Sequence, residues 1–101
     1  MKKIYIIGDM HTVSAFRLSG VEGVVCEPHE TPARLEEIVG KRDAGIVLVT
    51  NELAENLHAR IAEINRNMPD SVVLEIPGID DTQGFRRSAI EYIAEALGIG
   101  L

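Results

Sequence analysis

The residues best equipped for chemistry sit together near the start of the chain, in Gly8-Asp9-Met10-His11. An aspartate and a histidine two positions apart, where an apolar run ends, can both face one divalent ion and hold a hydrolytic water on it. Metal-dependent hydrolysis of a phosphoester on two ions needs several further donors and a bridging carboxylate. The other histidines are His29 and His58, and no Gly-Asn-His follows any later apolar run. The same residues have a plainer use: Asp9 is placed to cap a helix that begins just after it, with His11 in the first turn.

Other chemistries find less. The turn after the first apolar run has one glycine, and no glycine-rich phosphate loop occurs anywhere. Asp9 and Glu52 stand where an anion would approach the strand ends, and their charge discourages it. A receiver-like signalling module needs an aspartate ending its third strand and a lysine after a fifth. This chain has Thr50-Asn51 at the first place and no fifth run. Cys26 neighbours Glu27, an anion that raises a thiol's pKa rather than activating it. Ser14, Ser19, Ser71 and Ser88 have no base at local spacing. The reading therefore assigns no catalytic residue, no metal and no cofactor.

Composition agrees with a small globular domain: 101 residues, 46% hydrophobic and 26% charged. A chain of this size buries roughly 65% of its unfolded surface, enough for a core without staples. One cysteine excludes an internal disulfide. A net charge of −6 argues against a nucleic-acid partner. No apolar run approaches the ~18 residues of a membrane span, and the first is too short for a signal-peptide core. The expectation is a cytoplasmic protein with no direct membrane insertion.

The elements that must position these residues follow from periodicity. Four short apolar runs, Ile4–Ile7, Val24–Cys26, Ile46–Val49 and Val72–Ile76, are rich in β-branched residues and read as strands. The first and third carry no charge and suit a place buried on both faces; the short second and the fourth, with Glu75, suit edges. Three helical segments lie between them. Val13, Ala15, Phe16 and Leu18 give the first its apolar side, with Gly20 as its C-terminal cap. The second opens with Thr31-Pro32, a cap hydroxyl followed by proline, and carries Leu35, Ile38 and Val39. The third starts at Thr50 or Asn51, carries Leu53, Leu57, Ile61 and Ile64, and stops before Pro69. Alternation of this kind predicts an α/β fold: a small Rossmann-like four-stranded parallel sheet in the order 2-1-3-4, flanked by helices.

After residue 76 the pattern changes. Residues 1–76 form a head, and 77–84, with Pro77, Gly78 and Gly84, read as a hinge. In 85–101, Ile90, Ile93, Ala94 and Leu97 fall at i, i+3, i+4, i+7, a C-terminal amphipathic helix capped by Gly98. In a 2-1-3-4 sheet the first crossover lies on one face and the other two on the opposite face. The last helix therefore either folds back beside the first or leaves apolar sheet for a partner. Arg86 and Arg87 precede its stripe and are candidates to pair with acidic groups on a partner helix.

Three segments carry a resemblance. Phe16-Arg17-Leu18-Ser19-Gly20-Val21, Ile46-Val47-Leu48-Val49-Thr50-Asn51-Glu52-Leu53-Ala54 and Val72-Val73-Leu74-Glu75-Ile76-Pro77-Gly78 are similar, in register over essentially the whole chain, to the F-subunit family of the archaeal A-type and vacuolar-type ATP synthases. The tail Ala96-Leu97-Gly98-Ile99 also matches. The chain departs from the family at Ala15, where glycine is usual, and at Asn51, where glutamate is. The resemblance implies a non-catalytic rotor subunit of the central stalk, bound to the coiled-coil D subunit and held at the membrane by its complex. It also implies that the C-terminal helix reaches the catalytic A and B subunits and influences ATP hydrolysis. Ile90, Ile93 and Leu97 would dock as anchors with Arg86 and Arg87 beside them, and Phe16 and Arg17 on the first helix are the head's candidate partner-binding residues.

Overall fold

A computed structural model describes residues 2–79. The chain runs β1 (Lys3–Gly8), α1 (Met10–Arg17), β2 (Glu22–Val25), a 3-10 turn at Pro28–Glu30, α2 (Thr31–Gly40), β3 (Ala44–Thr50), α3 (Asn51–Ala54), α4 (His58–Asn67) and β4 (Val72–Ile76). All strand pairs are parallel and the sheet order is β2-β1-β3-β4, as the charge-free first and third runs predict. Ile7 sits between Val24 on one side and Val49 on the other, which fixes the register at the centre.

Side-chain alternation splits the interior into two layers. Tyr5, Ile7, Val47, Val49 and Val73 face α2, α3 and α4, meeting Leu35, Ile38, Val39, Leu53, Leu57, Ile61 and Ile64. Ile6, Ile46, Leu48 and Ile76 face the other way, onto Val13 and Phe16 of α1. On that second face Ile4, Val21, Val72, Leu74 and Ile79 are only partly buried. The uneven covering inferred from the strand order is present: among the described residues, three helices pack on one face and one on the other.

Four local readings need correction. The third helix is two helices, broken between Ala54 and His58, where Leu57 leaves helical geometry at φ −117°, ψ 7° and its N–H closes a turn onto the Ala54 carbonyl at 2.9 Å. Leu53, Leu57 and Ile61 follow one another at four-residue steps. At about 100° per residue such a row drifts roughly 80° around a straight helix, and the break lets all three face the sheet. The second strand begins at Glu22 and ends before Cys26. Leu18 is not on the apolar side of α1 but 83% exposed, because it lies about 200° around the helix from Phe16. Thr31 does not cap α2 from outside: the 3-10 turn runs straight into the helix, and the Thr31 hydroxyl donates back to the Glu27 carbonyl at 3.0 Å. Gly20, at φ +82°, does occupy the left-handed geometry that ends the first helical segment.

Candidate docking surfaces and the strand-end crevice

Asp9 is a helix cap. One carboxylate oxygen accepts from the backbone N–H groups of His11 at 3.1 Å and Thr12 at 3.2 Å, and the other accepts from the Thr12 hydroxyl at 2.6 Å. Burial works against its charge, yet the hydrogen bonds from Thr12 and His11 prevail and hold its carboxyl below the usual range. His11 is exposed to solvent. Among the described residues no three His, Cys, Asp or Glu side chains converge in a way that could hold a metal ion. The crevice beyond the strand ends is lined by Met10, Val25, Cys26, Glu27, Thr50 and Glu52. The carboxylates of Asp9, Glu27 and Glu52 all line it, and Cys26 is buried with its Sγ 3.5 Å from the Thr31 hydroxyl.

The two head residues nominated for partner binding separate. Phe16 is 8% exposed and belongs to the core beneath α1. Arg17 is exposed, and its guanidinium donates to the Gly23 carbonyl at 3.3 Å. Gly23 is what lets α1 lie so close to β2: a Cβ there would stand 2.4 Å from Val13 Cγ1 and 2.8 Å from Arg17 Nε. The far edge of the sheet is covered in a related way. Asn65 on α4 donates to the Val73 carbonyl at 3.0 Å and accepts from the Val73 N–H at 2.7 Å, a two-way pairing that occupies the backbone of edge strand β4.

Pro77 and Gly78 leave β4 along the α1 side. One residue later the chain is tied down, because the Ile79 N–H donates to the Thr12 hydroxyl at 3.1 Å and the Ile79 side chain packs on the α1 layer. Thr12 is fully buried. Its hydroxyl thus links the cap of α1 to the first residues after the sheet, across 67 positions of sequence. Gly84, Arg86, Arg87, Ile90, Ile93 and Leu97 lie outside the described residues.

Sequence reasoning misses two features. Thr12 reads as an ordinary helix residue, and its only advance signal is a place three residues after a capping aspartate. The second is a set of exposed apolar side chains: Met10 at 65%, Leu18 at 83% and Val25 at 45%. Met10 and Leu18 stand eight residues apart, two four-residue steps along one helix row. That spacing is visible in the sequence and is the signal that could have found them.

A four-stranded parallel sheet in the order β2-β1-β3-β4, flanked by helices and with its strand-end aspartate used as a helix cap, defines a small Rossmann-like α/β head. Family comparison gives the particular case. Residues 4–93 match the ATP synthase (F/14-kDa) subunit family, and the chain belongs to that family. It is 33% identical to the F subunit of the A-type ATP synthase of Pyrococcus abyssi, over 96% of this chain and 95% of that one. It is 30% identical to the corresponding A-type F subunit of Thermococcus kodakarensis, over 98% and 97%, and 26% identical to the F subunit of a V-type ATP synthase of Clostridium botulinum, over 99% and 97%. Membership makes the chain a non-catalytic subunit of a rotary ATP synthase, and sets aside the phosphoesterase and receiver chemistries. No helix among the described residues is long and apolar enough to cross a membrane.

Proposed function

We propose that this chain is a central-stalk rotor subunit, seated by its α/β head on the coiled-coil D subunit and extending residues 85–101 toward the catalytic A and B subunits. In that position it modulates ATP hydrolysis and synthesis coupled to ion transport. It works on the cytoplasmic side, held at the membrane by the complex rather than by insertion of its own chain. The observation that carries the reading is the family match from residue 4 to residue 93, which spans the head and the first half of the last helical pattern. Two features of the head support it. The α1 face of the sheet is covered by one helix among the described residues, leaving Ile4, Val72 and Leu74 only partly buried, and the backbone is tied at Ile79, ahead of the amphipathic segment. The tie favours a pivot after Ile79 for the proposed arm, with Pro77 and Gly78 as the exit from the sheet and Gly84 as the remaining hinge residue.

Co-expression with the D subunit of the same organism tests the reading directly. A stable one-to-one complex on size exclusion is expected. Separate elution at micromolar concentration of both chains would overturn the reading.

A further inference from the structure

We propose that the outward row of α1, continued by Val25 at the end of edge strand β2, is the surface on which the head receives a partner helix. That helix carries an apolar stripe flanked by lysine or arginine. The inference rests on the stalk reading above and adds to it the place and chemistry of the contact.

Met10, Leu18 and Val25 are the large apolar side chains most open to water among the described residues, and all three belong to the α1–β2 unit. Along α1 and its C-terminal cap, Met10, Ser14 and Leu18 stand at i, i+4 and i+8, the row that forms the ridge most often used in helix–helix packing. The row is about 12 Å long, a little over two turns of a partner helix. Exposed Ser14 lies in its middle, and its small side chain lets another helix approach closely. Met10 and Val25 line the same crevice at the strand ends, so the row runs on from the helix to the sheet.

The charges around it select the partner. Glu27 and Glu52 line the crevice beside Met10 and Val25, both are exposed, and neither forms an ion pair among the described residues. Arg17, the basic residue of α1, is turned onto the Gly23 carbonyl. An apolar row beside carboxylates that no cation neutralises among the described residues suits a helix with basic flanks. A second copy of this chain suits it badly, since two-fold pairing would bring the same carboxylates together. A strand added at β2 would meet a four-residue edge whose Gly23 carbonyl is already occupied.

The test uses the full chain and the D subunit of the same organism, with affinity measured by titration calorimetry at two salt concentrations. Met10→Asp and Leu18→Asp are each expected to weaken the complex tenfold or more. Glu27→Lys with Glu52→Lys should weaken it and flatten its salt dependence. Glu37→Lys, a single charge reversal on the opposite layer, should leave affinity within twofold. All these positions are exposed, and thermal unfolding curves that overlay the wild type establish that the variants fold. Wild-type affinity in the Met10 and Leu18 variants would overturn this surface while leaving the stalk function standing. A wild-type chain that binds no D subunit would overturn both. Dimers of the wild type that Leu18→Asp dissociates would assign the row to self-association and overturn the proposal.

Discussion

The Thr12 hydroxyl is a small group with long reach. It donates to Asp9 and accepts from Ile79 inside a fully buried site. Thr12→Val keeps the shape but strands both partners, and an unsatisfied buried group costs about 1–3 kcal/mol. Urea denaturation should show a loss of that size, with Thr12→Ser losing less because the hydroxyl survives. Native-state amide exchange should show Ile79 losing protection in the valine variant alone. Titration at the same site has a definite sign. The folded state holds the Asp9 carboxyl below its ordinary value, so its contribution is complete above the unfolded value near ~3.9 and fades as the pH falls through the folded one. Asp9→Asn should remove that acid-side slope. Tyr5 gives the opposite case. Burial first, then the hydrogen bond to Asp43 at 2.8 Å, push its hydroxyl up to about 12. Its contribution is complete below about 10 and disappears as the pH rises through 12. Tyr5→Phe should flatten the alkaline limb of a stability–pH curve while leaving the acid limb in place.

Among the elements, the sheet is legible in the sequence and the helices only partly so. Strand order follows from which apolar runs carry charge: Glu75 and the brevity of Val24–Cys26 put those runs at the edges, and register follows from burying Ile7 and Val49 side by side. The break between α3 and α4 has no such signature, because Leu53, Leu57 and Ile61 at four-residue steps read as one row of a single helix. Leu18 misleads for a related reason. Apolar character alone does not tell a core residue from one that awaits a partner; only its angle to Phe16 does. Edge protection by side chains is invisible to periodicity, and Asn65 makes it testable. Asn65→Leu should cost about 1–2 kcal/mol by leaving both Val73 groups unpaired. It should also raise concentration-dependent association through the bared β4 edge, read by analytical ultracentrifugation. Arg60→Ala removes the pairing of Arg60 with Glu36 at 2.7 Å and its contact to Glu63. Those groups are half-exposed and screened by water, so the loss should be smaller than for Asn65→Leu and shrink with added salt. If Arg60→Ala proved the costlier of the two, the α2–α4 surface would be holding the layer together more than the edge pairing does.

For the molecule as a whole, the uneven covering of the sheet and the tie at Ile79 make the same demand. The heavily covered face closes without help: α2, α3 and α4 bury Leu35, Val47, Val49, Ala54 and Ile64 to within 1%. The α1 layer has Val13 and Phe16 but leaves Ile4, Val72, Leu74 and Ile79 partly open, and the next segment able to cover them is the Ile90/Ile93/Leu97 stripe. A chain ending after Ile79 keeps the sheet, both edge protections and the Thr12 tie. It should therefore unfold cooperatively, with the Val47 and Val49 amides of β3 still the slowest to exchange. It should also bind a hydrophobic dye more strongly than the full chain, because the partly open residues lose their nearest candidate cover. On the proposed stalk reading, the truncated chain should still assemble with the D subunit, since the α1 row is intact, while the rate of ATP hydrolysis by the complex changes. Equal dye binding by the full and shortened chains would mean that the stripe does not rest on this face. The segment would then have to find its partner outside the chain at all times, and the arm would have no docked state to leave.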